Sequence, residues 1–146
     1  MVLGFYFSPD LEEVLLIKKT KPDWQAGKLN GIGGKVEKTE LSVAAMSREM
    51  AEEANLDLFY DRWSFGGYMK GDDWDVCIFY AICQNPVERE CIQSLTEEEV
   101  GWYKTSDIVH GGKYDVMNNL PFIIQMCLCL MKNDGLRPLR IEYSYE

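Results

Sequence analysis

The segment from Gly34 to Leu56, GKVEKTELSVAAMSREMAEEANL, constrains this chain more than any other. Thr39 to Ala54 reads as a helix: Thr39 or Ser42 stands where a cap is expected, and Val43, Ala44, Met46 and Met50 supply an apolar side. Asn55 occupies the C′ place, where a positive φ is expected. On this helix Glu49, Glu52 and Glu53 fall at i, i+3 and i+4, so their carboxylates share one face. Three carboxylates that close repel one another and weaken the helix, and a divalent cation removes the penalty. Hard oxygen donors without Cys or His favour Mg²⁺, or Mn²⁺, over zinc. Ahead of the helix, Gly31, Gly33 and Gly34 make a loop whose backbone can approach a phosphate or metal because no Cβ intrudes. Lys35 follows as a point charge for a phosphate oxygen. Loop, lysine and acidic face together imply metal-assisted attack of water on a pyrophosphate.

The remaining segments supply a scaffold. Val2 to Ser8 and Val14 to Ile17 are apolar runs separated by a Ser8-Pro9-Asp10 turn, which predicts a hairpin. Leu58 to Met69 and Trp74 to Cys83 carry aromatic and β-branched residues around Lys70-Gly71-Asp72-Asp73, and read as two long antiparallel strands. Trp63, Tyr68, Trp74, Phe79 and Tyr80 have strand spacing and read mostly as core or cross-strand pairs. Val100 to Lys104 is a further strand. Leu120 to Lys132 is a second helix with Pro121 in its first turn. His110 falls in a predicted loop, and the tail from Arg137 to Glu146 reads either as an added strand or as loose chain. Strands, helix, strands, helix predicts an α+β fold or an α/β/α sandwich. With 146 residues and no repeat or linker, the expectation is one domain over 1–146.

Composition removes several alternatives. A formal charge of −9 disfavours nucleic-acid polymers and anionic membranes. The longest apolar run, Leu120 to Met131, is too short to cross a bilayer. The N-terminal residues lack a signal-peptide pattern, so a cytoplasmic protein is expected. Five cysteines without paired spacing argue against a disulfide scaffold, and Cys127 and Cys129 read as small core residues. His110 is the single histidine, which leaves structural zinc and Ser-His-Asp chemistry poorly supported.

Gly34 to Leu56 resembles the signature of the Nudix (MutT-like) hydrolase superfamily: Gly, five residues, Glu, seven residues, Arg-Glu-apolar-x-Glu-Glu-x-Gly-apolar. Every defining position matches except the second glycine, which is Asn55 here. The resemblance implies the Nudix fold, an α/β/α sandwich with a mixed sheet. It also implies Mg²⁺-dependent hydrolysis of a nucleoside diphosphate linked to another group. By motif position Glu49, Glu52 and Glu53 match the metal-binding and catalytic carboxylates, and Arg48 the arginine that orients them. Glu40 matches a glutamate that supports the loop and helix, and the Gly34 carbonyl a further ligand. Thr96 to Trp102 looks like an acidic loop and strand found in many members, from which Glu98 or Glu99 would reach the metal; the plainer reading is a solubilising loop.

Lys21 to Val36 is similar to the stretch before the signature in the 8-oxo-dGTP diphosphatase group. There the Asn of Asn-Gly-x-Gly-Gly-Lys contacts the base, which assigns Asn30, and an aromatic six residues earlier lines the base pocket, which assigns Trp24. Gly33 and Lys35 of the same pattern would meet the phosphates. Asn118 and Asn119 fall where that group places base-reading acids, and amides there read more than one edge. Asn30 equally suits a plain Asn-Gly turn, and Trp24 a cover for the core. The leading expectation is hydrolysis of a (d)NTP, an oxidised purine nucleotide included, to the monophosphate and pyrophosphate. Cleavage of ADP-ribose or a dinucleotide, and a non-catalytic nucleotide sensor, are the rivals. Either a monomer or a homodimer is compatible with the chain.

Overall fold

The two apolar runs at the N-terminus pair as expected. In a computed structural model, which describes residues 1–143, β1 (Val2–Phe7) and β2 (Glu13–Lys18) form an antiparallel hairpin. β1 also pairs parallel with β5 (Asp75–Ile82), and β5 pairs antiparallel with β4 (Ser64–Lys70). A short strand β3 (Leu29–Asn30) shares one edge of β2 with β1, while β6 (Glu99–Lys104) runs antiparallel along its other edge. Parallel and antiparallel pairs in one sheet make it mixed.

Both faces of that sheet are covered, which explains why β1 and β2 read as continuous apolar runs. Tyr6, Leu15 and Ile17 point to one core with Met46 and Met50 of α1 (Ser42–Ala54). Phe5, Phe7, Val14 and Leu16 point to the other, with Ile108 of α3 (Thr105–His110) and Ile123, Ile124 and Cys127 of α4 (Leu120–Lys132). The result is the expected α/β/α sandwich. Among the described residues no helix is long and apolar enough to cross a membrane.

Several boundaries differ from expectation. The first helix starts at Ser42, its N-cap residue is Leu41, and neither Thr39 nor Ser42 caps it. Thr39 instead adopts φ 72° in the turn before it, and the Glu40 carboxylate takes the Glu37 N–H, so the loop is closed by a glutamate rather than a hydroxyl. The strand expected from Leu58 begins only at Ser64. A 3₁₀ turn over Tyr60–Arg62 precedes it and aims Arg62 at Glu88. Two short helices escaped the sequence reading. α2 (Pro86–Cys91) has a legible start, since Asn85 accepts from the Glu88 N–H with Pro86 in the first turn. α3 places His110 at a helix end rather than in a loop; it is exposed there, as expected, with Nδ1 2.8 Å from the Ser106 carbonyl. Cys127 is buried and Cys129 half-buried. From the tail, Leu139–Glu142 adds β7, parallel to β4; residues 144–146 lie outside the described residues.

Candidate active site

The glycine loop is stitched to the start of β1. Val2 N–H donates to the Gly34 carbonyl at 2.9 Å, and Gly4 and Ile32 exchange bonds at 2.7 and 3.1 Å. Gly33 must lack a side chain, because a Cβ there would overlap the Val2 carbonyl. With the loop held on that side, the Gly33 N–H faces α1 and donates to the Glu53 carboxylate at 3.3 Å. The next residue makes the same argument from the other direction. A Cβ on Gly34 would run into the Glu49 carboxylate, so a side chain there would push that carboxylate out of the place it now holds.

Arg48 gathers the rest. Its guanidinium donates to Glu40 at 2.9 and 3.1 Å, to Glu49 at 2.9 Å, to Glu52 at 3.1 Å and to the Lys35 carbonyl at 2.9 Å. Five donors in a fixed fork suit such a hub, and a lysine could not replace it. Arg48 thereby ties loop to helix and turns Glu49 and Glu52 toward itself. Glu53 is left as the acid with least compensation. Burial raises its pKa to about 7; the Lys19 ammonium lowers it, and the Glu49 and Glu98 carboxylates raise it again. Glu98 is almost fully buried beside the same region. Burial pushes its carboxyl up, but bonds from Lys19 at 2.6 Å and from the Thr20 N–H at 2.8 Å outweigh that, and the carboxyl sits below its ordinary value.

The donor set suits a hard divalent cation. Glu49 and Glu53 present carboxylate oxygens beside a loop shaped without Cβ atoms, and Glu53 carries the excess charge a cation would neutralise. Among the described residues no three carboxylate, thiol or imidazole groups converge tightly enough to grip an ion as they stand, because Glu49 and Glu52 are engaged by Arg48. Glu49, Glu53, Glu52 and Glu98 are the residues that could hold such a cation, while the Gly34 carbonyl is engaged by the Val2 N–H.

The residues suggested for the substrate are more dispersed. Asn30 spends its side-chain oxygen on the Gly31 N–H at 2.8 Å, as an Asn-Gly turn does, and its amide nitrogen has no partner among the described residues. Trp24 is 64% exposed and does not cover the core. The Met117 N–H donates to the Leu29 carbonyl, which brings the chain leading to Asn118 and Asn119 beside Asn30. Lys35 is exposed and lines an open cavity of about 470 Å³ with Lys70 and Asp72 to Asp75. Glu99 pairs in the ladder opposite Lys18 and is exposed, so Glu98 is the acid of that loop that turns inward. Sequence reasoning missed Lys19. The signal was alternation along β2: Lys18 is exposed and Lys19 half-buried, so the second lysine of Lys18-Lys19-Thr20-Lys21 faces in.

Comparison with known proteins agrees with this geometry. A profile of the NUDIX domain matches residues 2–120. The chain belongs to the NUDIX family. No curated protein sequence matches it significantly. Among solved structures, a MutT described for Aliivibrio salmonicida and Vibrio cholerae shares 23% identity with a TM-score of 0.69, over 88% of this chain and 95% of that one. MutT of Bacillus halodurans shares 20%, with a TM-score of 0.71 over 99% and 88%. The NUDIX domain of Shewanella oneidensis NrtR, complexed with ADP ribose, shares 15%, with a TM-score of 0.71 over 89% and 86%. These likenesses establish the NUDIX fold.

Proposed function

We propose that this protein is an Mg²⁺-dependent nucleotide pyrophosphohydrolase that converts a (d)NTP, an oxidised purine nucleotide included, to the monophosphate and pyrophosphate. The observation that carries the reading is Glu53. It is a half-buried carboxylate fixed by the Gly33 N–H, bordered by other acids, with its pKa pushed up to about 7. In the metal-free protein that carboxyl takes and releases a proton near neutrality; a bound cation favours its charged form, which is the form a general base for water requires. Arg48 keeps Glu49 and Glu52 on the adjacent face. The cation, when bound, supplies Lewis-acid polarisation of the phosphates. Asn30 and Asn119 are the groups we assign to the base, with Trp24 as an exposed platform for it, and Gly33 and Lys35 to the phosphates. The charge of −9 disfavours nucleic-acid polymers as substrates. All five cysteines are free, which suits a cytoplasmic site of action.

The test is a turnover panel with Mg²⁺: the common NTPs and dNTPs, 8-oxo-dGTP, ADP-ribose, NADH and diadenosine polyphosphates, each beside Glu53→Gln. Hydrolysis of a triphosphate, abolished by Glu53→Gln, supports the reading. A preference for ADP-ribose, the ligand of the NrtR structure, would replace the substrate class and keep the site. Binding with no turnover of any compound would make the protein a nucleotide sensor.

A further inference from the structure

β2 and β6 run antiparallel, with Lys18 opposite Glu99 at the last rung of the ladder. One residue further, Lys19 and Glu98 face each other, and their side chains meet at 2.6 Å. The lysine side chain is 17% exposed and the glutamate 6%. Both are held in place. The Lys19 N–H donates to the Lys28 carbonyl, and its own carbonyl accepts from Gly27. The second oxygen of Glu98 accepts from the Thr20 N–H and hydroxyl, and the Glu98 N–H donates to Thr96. One step outward the same two segments form a second pair, Lys21 with Glu97 at 3.2 Å, but there both side chains are largely exposed. Solvent screens that outer pair. The loop that carries Glu98 is tied to Glu53, since the Leu95 N–H donates to the Glu53 carbonyl at 3.2 Å, and across that junction Lys19 favours the charged form of Glu53 while Glu98 disfavours it.

A buried carboxylate without a partner is strongly disfavoured, and two beside each other more so. An ammonium in their midst relieves this before any metal arrives. The same fixed positive charge repels an incoming divalent ion. We propose that Lys19 is the resident counter-cation of the carboxylate site: it keeps Glu98 in place and compensates Glu53 in the metal-free protein, and in doing so weakens the site's hold on a divalent cation. The proposal rests on the hydrolase reading above, because it takes Glu53 and Glu98 as the cation's carboxylates. Lys19 is a positioning residue in this account and contacts no reacting atom.

The two lysines make the experiment. Mn²⁺ binding to the full chain without substrate is measured by titration calorimetry at pH 8, together with the metal-free melting temperature, for wild type, Lys19→Met, Lys19→Arg and Lys21→Met. Lys19→Met is expected to lower the metal-free melting temperature, to tighten Mn²⁺ binding by about tenfold, and still to reduce turnover at saturating metal because Glu98 is no longer held. Lys19→Arg keeps the charge and the wild-type affinity. Lys21→Met, with the same change in net charge, leaves affinity within about twofold. An unchanged Mn²⁺ affinity in folded Lys19→Met, or an equal tightening in Lys21→Met, overturns the proposal and leaves the hydrolase reading standing. Wild type that binds no Mn²⁺ overturns both. Should Lys19→Met not fold, Lys19→Gln removes the charge while retaining a donor to Glu98 and carries the same comparison.

Discussion

Glu53 and Glu88 are both partly buried glutamates on short paths from the same sheet, yet their carboxyls lie at opposite ends of the acid scale. Glu88 receives two bonds from Arg62, at 2.6 and 3.1 Å, one from the Tyr6 hydroxyl at 2.6 Å and one from the Gln84 N–H at 2.9 Å. The Arg62 guanidinium, above all, brings its pKa down to about 2 against the effect of burial. Glu53 has one backbone N–H at 3.3 Å and other acids around it, and burial takes it up to about 7. The lesson is that burial alone does not define a carboxylate's part. A saturated one fastens elements together, here β1, the 3₁₀ turn and α2. An undersupplied one is left with a demand that only a proton or a cation meets.

The same isosteric change should therefore fail in opposite ways at the two positions. Glu53→Gln is expected to reduce turnover by about 10²–10⁴-fold while the metal-free protein melts no lower than wild type, because a strained charge has been removed. Glu88→Gln is expected to destabilise by about 2–3 kcal/mol, since it strands the Arg62 guanidinium in a poorly solvated place. Its turnover below the transition should stay within a few-fold of wild type. Urea unfolding and steady-state kinetics on both variants decide the matter. Equal stability losses at the two positions would erase the distinction.

The pH dependence of stability sharpens it further, with metal chelated. Glu88 is shifted down from 4.5 to about 2 in the folded protein. Its contribution is complete above 4.5 and fades as pH falls toward 2. Glu53 is shifted up from 4.5 to about 7. Its contribution is complete below 4.5 and is lost as pH rises through 7. Wild type should accordingly lose stability toward both extremes. Glu88→Gln should flatten the acid limb and Glu53→Gln the limb between 4.5 and 7, each by about 1–2 kcal/mol after allowance for solvent screening. Melting curves from pH 3 to 8 measure both. A wild-type curve that rises steadily from pH 4.5 to 8 contradicts the reading of Glu53.

How much of this was legible differs between the two glutamates for a physical reason. Glu53 stands in a local pattern: Glu49, Glu52 and Glu53 recur at helical spacing behind a glycine loop, so a window of residues 34–56 contains both the helix and its chemistry. The hairpin of β1 and β2 and the limits of α4 were likewise local, since apolar runs and a first-turn proline mark them. Glu88 acquires its role from Tyr6 and Arg62, which are 82 and 26 residues away. No spacing rule links them, and α2 itself was missed despite the Asn85 and Pro86 start signal. Glu98 stood out in its acidic loop, and Lys19 carries only the weak sign of alternation past β2, but their pairing across 79 residues is beyond local pattern. That pairing becomes visible only with the β2–β6 register.

Asn55 joins the two regions and offers the smallest test. It ends α1 two residues after Glu53, in the left-handed conformation at φ 58°, and its amide donates to the Cys91 carbonyl at the end of α2 at 3.0 Å. Beside it, Gln93 and Leu95 donate to the Ala54 and Glu53 carbonyls, so the segment after α2 completes the last turn of α1. The resemblance to the Nudix signature places glycine at this position. Asn55→Gly keeps the backbone geometry at ease and loses only an exposed side-chain bond, so stability should change by less than about 0.5 kcal/mol. Asn55→Ala loses the same bond and keeps a Cβ in the left-handed conformation without the short polar side chain that eases it there, and should destabilise by about 1–2 kcal/mol. If the two variants lose equal stability, the bond to Cys91 rather than the backbone conformation sets the demand at this position. If Asn55→Ala alone is affected, the end of α1 needs only a residue that tolerates positive φ, and the link between the two carboxylate regions runs through the backbone bonds of Gln93 and Leu95.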